Sequence, residues 1–235
     1  MIEKMSDFFT ARVNGYDGHM INEVTGCKEG YQKMAELLPG TVVNLLDLGC
    51  GTGLELDEIF KIHPNIKVTG IDLTEAMLGV LKQKHPDKDM TLIHGSYFDC
   101  DLGIKRFDAI ISFQTMHHFP HTKKIELYSR IYSALKPGGN YIECDYMVIH
   151  QKDEDFYFKE NARIRHEQNI QDGEFYHYDT PCTVDNQVKM LQTANFEKVE
   201  MVWRVENTTM IVAQTANRNY IDSGRKTVLV HERNV

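Results

Sequence analysis

The stretch Leu45-Leu46-Asp47-Leu48-Gly49-Cys50-Gly51-Thr52-Gly53-Leu54 constrains this chain most. It reads as a short buried strand, a glycine-rich turn and the start of a helix. Glycine at every second position lets the backbone adopt positive φ and approach a ligand closely. The helix that follows points free N–H groups and a positive dipole end at that ligand. Such loops occur in many nucleotide-binding sheets, so the spacing is the informative part. The dinucleotide fingerprint runs G-x-G-x-x-G, whereas here the pattern is G-x-G-x-G, preceded by Asp47. A carboxylate at that place repels a pyrophosphate and suits a ligand that carries an amino group.

A second acid follows. Val68-Thr69-Gly70-Ile71-Asp72 reads as the next strand, and Asp72 lies 19 residues beyond Gly53. A neighbouring parallel strand puts a carboxylate over ribose hydroxyls at about that distance. Phe107-Asp108-Ala109-Ile110-Ile111-Ser112-Phe113 reads as a later strand, and Leu135-Lys136-Pro137-Gly138-Gly139 as the turn before another. Together these segments resemble the class I S-adenosylmethionine (SAM)-dependent methyltransferases, over roughly residues 40 to 147. SAM carries an ammonium group and a cationic sulfonium, and no phosphate. The resemblance implies an α/β, Rossmann-like seven-stranded sheet, mostly parallel with the last strand antiparallel, flanked by helices.

Length and composition agree with that. A chain of 235 residues suits one α/β domain with a modest insertion. The expectation is a single methyltransferase domain over 1–235. Residues 1–38 would form an N-terminal helical cap segment, and residues 150–180 an insertion or lid over the substrate cleft. A 42% hydrophobic fraction is ample for one core. No apolar run reaches the roughly 20 residues of a membrane span. The N-terminus lacks the basic and apolar regions of a signal peptide, so a cytoplasmic protein is expected. Cys27, Cys50, Cys100, Cys144 and Cys182 are scattered without a C-x-x-C pair, which argues against a disulfide framework or a cysteine zinc site. The formal net charge of −8 argues against a large nucleic-acid footprint. The tail from Ala216 mixes both signs and reads as a solvated extension. A homodimer stays open.

Along the chain, strands near Val42 to Asp47, up to Asp72, Met90 to His94, up to Phe113 and Asn140 to Met147 alternate with helices. Those helices span Gly30 to Leu38, Thr52 to Lys61, a segment N-capped by Thr74, and Thr122 to Leu135. Such alternation implies a parallel sheet with right-handed crossovers. After Met147 a helical insertion runs from about Asp153 to Asn169. A helix from Thr183 to Ala194 and strands Glu197 to Arg204 and Thr208 to Thr215 complete the chain.

Ligands in such sheets bind beyond the carboxyl ends of the strands. That rule gathers Asp47, Gly49, Cys50, Gly51, Gly53, Asp72, Leu73 and Gln114 around one cleft as the cofactor site. Asp47 and the loop would hold the methionyl part, Asp72 the ribose, and Leu73 and Met77 the adenine. Met77 reads equally as plain core. After its third strand the family often shows an acid that reaches the adenine amino group; here Ser96 stands there, beside Tyr97. By resemblance to relatives with a Tyr-Asp ahead of the first helix, Tyr16 would bond the cofactor carboxylate, or it is a surface tyrosine.

His117 and His118 follow the fourth strand and face the expected transfer site. A histidine there can take a proton, orient a substrate, or merely satisfy backbone groups. His117-His118-x-x-His121 also suggests metal, but adjacent histidines diverge on most backbones, so no metal is expected. His118, Tyr146, Arg163, Tyr176 and Tyr178 are the candidate substrate contacts. The expected function is methyl transfer from SAM to a small molecule by in-line displacement, the accepting atom (O, N, S or C) being open. The alternatives are a tRNA or protein methyltransferase, and a SAM-binding sensor or partner subunit that methylates nothing.

Overall fold

Leu45, Leu46 and Leu48 fill β1 (Asn44–Leu48), a strand buried on both faces. It pairs in parallel with β2 (Lys67–Asp72) and β4 (Phe107–Phe113). β2 pairs in parallel with β3 (Met90–His94), and β4 with β5 (Leu135–Val148). A two-residue β6 (Cys182–Thr183) extends the far end of β5. β7 (Lys198–Val205) and β8 (Thr208–Gln214) form a hairpin, and β8 lies antiparallel to β5. The strand order is β3-β2-β1-β4-β5-β8-β7. This computed structural model describes residues 1–217. From residue 218 on, the tail read as a solvated extension lies outside the described residues.

Successive strand side chains point to opposite faces, and this period divides the core in two. Leu46, Ile110 and Tyr141 face Leu127, Ile131 and Leu191 of α6 (His121–Ala134) and α8 (Val184–Thr193). Leu45, Ala109, Ile111 and Ile142 belong to the opposite core. That core takes Met34, Ile59 and Leu81 from α3 (Cys27–Leu37), α4 (Leu54–Ile62) and α5 (Glu75–Lys84).

Three local differences from the sequence reading have physical causes. β5 starts at Leu135 rather than Asn140 because Leu135 pairs with Phe107 before the register shifts at the glycine turn. Thr74 does precede α5, but its hydroxyl caps nothing; the Asp72 carboxylate accepts the Thr74 N–H instead, at 2.7 Å. Ahead of α3 the N-terminal segment forms two short helices, α1 (Met5–Arg12) and α2 (Tyr16–Asn22). Between β5 and β6, α7 (Gln151–Glu167) and the loop to Pro181 replace the usual short connection. That loop is tied back to the N-terminus: Met5 N–H donates to Phe175 O and His177 N–H to Glu3 O, both at 3.0 Å.

Candidate active site

The glycine loop turns at the carboxyl end of β1. Gly49, Gly51 and Gly53 have φ of 74°, 47° and 76°, a region that side chains rarely adopt. A Cβ on Gly49 would meet Thr115 Oγ1 at 2.6 Å, and one on Gly53 would meet Leu81 Cδ1 at 2.4 Å. Gly51 differs: the nearest atoms lie 3.9 and 4.0 Å away, the second being Tyr16 Cε1. Gly49 and Gly53 are therefore glycines for packing, and Gly51 faces open space under a tyrosine ring.

Asp47 is fully buried beneath this loop, and neither carboxylate oxygen receives a hydrogen bond. Burial raises its pKa well above the usual range, and the neighbouring Glu55 and Asp72 carboxyls add to the shift. Glu55, itself buried, is pushed up to about 7 by burial. Asp72 accepts the Gly51 N–H at 2.9 Å, so the second acid and the loop are already held together.

Beside them lies a cleft lined by Gly49, Gly51, Asp72, Leu73, Met77, Ser96, Tyr97, Gln114 and Tyr16. These nine are sequence-expected cofactor contacts, brought to one place by four strand ends and α2. Phe9, Thr115, Phe119 and Phe175 complete its wall. Asp47, Cys50 and Gly53 lie behind the loop, buried. Ser96 does not project freely, since its hydroxyl accepts the Phe98 N–H at 3.2 Å. Tyr16 is held over Gly51 by its neighbour. Asp17 bonds the Thr52 hydroxyl at 2.5 Å and pairs with Lys84 at 3.2 Å. Burial raises the Tyr16 pKa, so the phenol stays neutral.

A second, larger cleft opens on the other side of Phe9, Tyr16, Gln114 and His118, which line both. Its floor carries His117, His118, Asp179, His177 and Tyr146. Both histidines sit on a single 3-10 turn, residues Met116–His118, and are buried. Their rings do not diverge: the centroids are 4.0 Å apart. His117 Nδ1 donates to Asp145 Oδ1 at 2.5 Å. Asp179 Oδ1 lies 3.5 Å from His117 Nε2 and 3.4 Å from His118 Nδ1. Thr180 fixes this loop by donating both its N–H and its hydroxyl to His117 O, at 2.7 and 2.9 Å.

These contacts separate the two rings electrostatically. Burial opposes charge on His117, but the Asp145 carboxylate, and then Asp179, outweigh it and raise its pKa to about 9. Burial and the charge on His117 lower that of His118. Burial also lowers that of His177, to about 4. Burial alone would raise Asp179; the two imidazoles hold it well below the ordinary carboxylate range.

Not all expected substrate contacts come together. Tyr146 lines the second cleft and its hydroxyl donates to Tyr157 at 3.1 Å. Arg163 is exposed on α7 and paired with Glu160 and Glu167, at 2.9 and 2.7 Å. It lines neither cleft, because its side of α7 faces solvent, where the two glutamates hold it. Tyr176 bridges to Lys4 and also lines neither cleft. Tyr178 contributes its backbone, its carbonyl lying 3.4 Å from His118 Nδ1. In an extended segment side chains alternate, so when His177 and Asp179 face the cleft, Tyr176 and Tyr178 face away. Sequence reasoning missed Asp145, Asp179 and Phe9; a period-2 reading of residues 175–179 would have found Asp179.

The comparisons agree with this geometry. Residues 45–139 match the model of a methyltransferase domain. Carboxy-S-adenosyl-L-methionine synthase of Nautilia profundicola is 24% identical, over 90% of this chain and 95% of its own. Demethylmenaquinone methyltransferase of Symbiobacterium thermophilum is 35% identical over 42% of this chain and 41% of its own. Among solved structures, human N-acetylserotonin methyltransferase in complex with SAM aligns with a TM-score of 0.57 at 15% identity. That alignment covers 90% of this chain and 66% of the human one. The glycine loop and both strand-end acids thus lie inside the matched domain, and the chain carries a SAM-dependent methyltransferase domain.

Proposed function

We propose that this enzyme transfers the methyl group of SAM to a small molecule bound in the second cleft. One observation carries the reading: two clefts, one built from the glycine loop and strand-end acids, share a wall of Phe9, Tyr16, Gln114 and His118. The residues of the first fit SAM. Gly51 leaves room for close backbone approach, Asp72 faces the cleft where ribose hydroxyls would donate, and the buried Asp47 and Glu55 carboxyls behind the loop favour a cationic group at that end. Leu73 and Met77 offer an apolar wall for the adenine, beside Ser96 and Tyr97, and the Tyr16 hydroxyl is free to donate to a carboxylate. When bound, SAM supplies a methyl group already activated by its sulfonium. The protein therefore has to align the acceptor with it and exclude water.

In the second cleft the wall residues hold the acceptor against the transfer point. His117, charged near neutrality, serves as an orienting donor and not as a base. His118 is the group able to accept a proton from an acceptor that must lose one, and Asp179, held ionised by the two imidazoles, orients it. The loop 175–180, tied to α1, covers this cleft and acts as its lid. Small molecules fit better than nucleic acid, given the net charge of −8.

Accumulation of S-adenosylhomocysteine (SAH) with a panel of small acceptors tests the reading. Turnover abolished by Asp72→Ala supports it; SAM binding without turnover on any acceptor class would favour a non-catalytic role. A second reading comes from the near full-length similarity to a carboxy-SAM synthase. Mass spectrometry separates the two, since that activity would yield a carboxylated cofactor in place of SAH.

A further inference from the structure

The floor of the second cleft presents three ligand atoms of the kind that bind a transition metal. They are His117 Nε2, His118 Nδ1 and one oxygen of Asp179, all within 4.8 Å of one another. Two of the three edges are 3.5 and 3.4 Å. Ligand bonds of about 2.0–2.1 Å at a tetrahedral cation imply ligand–ligand separations of roughly 3.3 Å. Two further observations point the same way. Asp179 Oδ1 is buried yet accepts no hydrogen bond of good geometry. His117 directs its other nitrogen at the Asp145 carboxylate, 2.5 Å away. That carboxylate–imidazole contact keeps the proton on Nδ1, so Nε2 is the nitrogen that would give up its proton to a metal, and it is the usual outer partner of a ligating histidine.

We propose that His117, His118 and Asp179 bind one divalent first-row transition metal ion of the zinc or iron(II) class. Two imidazoles and one carboxylate suit such ions, and this ligand set leaves coordination positions open. Those positions face the cleft we read as the acceptor site, on which the role of the metal, though not its binding, rests. An acceptor hydroxyl or thiol bound there would lose its proton more readily. With His118 and Asp179 engaged as ligands, the acceptor's proton would pass to solvent, its loss made easier by the cation. A second cluster, His121, Glu154 and Cys182, does not qualify. Lys124 Nζ sits 3.3 Å from the Cys182 sulfur, and Glu154 already accepts hydrogen bonds from Thr183 N–H and Asn186.

The test is calorimetric titration of zinc into the chelator-stripped full chain, with SAH titrated into the same samples. One equivalent per chain is expected. Affinity should fall more than about 100-fold in Asp179→Ala and His118→Ala, and about 10–100-fold in Asp145→Asn, the outer-partner change. His121→Ala should leave it unaltered. Zinc affinity unchanged in Asp179→Ala, or no stoichiometric binding by the wild type, would overturn the proposal. If the variants fail to fold, zinc-edge X-ray absorption of the loaded wild type decides. Two imidazoles and an oxygen ligand support the site; a shell of oxygen alone overturns it. Failure of SAH binding with zinc binding intact would sink the cofactor reading and leave the metal site standing.

Discussion

Asp47 and Glu55 share a buried space under the glycine loop, with Asp72 beside it. Two carboxyls so placed do not both ionise easily. An ammonium ligand favours the ionised form, so binding it draws a proton off the pair. The affinity for SAM should therefore rise with pH through about 7, where Glu55 titrates, and flatten above it. Calorimetry between pH 6 and 8.5 checks this, with Glu55→Gln expected to flatten the profile. Asp72 acts through hydrogen bonds to a charged group, about 1.5–3 kcal/mol each. Asp72→Ala should thus weaken SAM binding at least about tenfold, while also freeing the Gly51 and Thr74 N–H groups it now satisfies.

At the scale of elements, the glycine loop is a joint between β1, α4 and α5. Gly53 N-caps α4 in the left-handed region with Leu81 of α5 packed where a Cβ would stand. Gly53→Ala should cost about 1–3 kcal/mol through backbone strain and overpacking. Thermal unfolding should register this as a fall of roughly 2–4 °C per kcal/mol. Gly51→Ala meets open space and should cost stability less, its strain being confined to φ, while impairing SAM binding more. The pair of variants separates packing from ligand approach within one loop. α1 and α2 have a different standing: their sequences lack a clear amphipathic stripe, and they are held by the Asp17–Lys84–Thr52 clasp and by pairing with loop 175–180.

For the whole molecule, the N-terminal helices and the 175–180 loop form one cover whose parts are far apart in sequence. Phe8 stacks on His177 at 3.5 Å, and Phe9 meets Tyr16 and His118 edge-on. A ligand seated beneath should order the cover as a unit. Amide hydrogen exchange of residues 3–22 and 174–180 should slow together on addition of SAH. Protection of one segment without the other would show that the cover is two independent pieces.

The mostly parallel sheet and the residues gathered at the cofactor-side cleft were legible in the chain because their signals are local. A buried strand, a G-x-G-x-G turn and an acid one strand over each declare themselves within a few residues, and parallel topology then brings their ends together. Met90 to His94 was read to the residue for the same reason. The second cleft was not legible. Adjacent histidines converge there only because a 3-10 turn, Asp145 from β5 and Asp179 from a loop some 60 residues on meet at one point. Arg163 looked like a ligand of that cleft, yet its helix turns it to solvent. Such long-range choices depend on which way a helix rolls and which face of a loop packs inward. Burial across the whole molecule decides these, and no stretch of sequence encodes them alone.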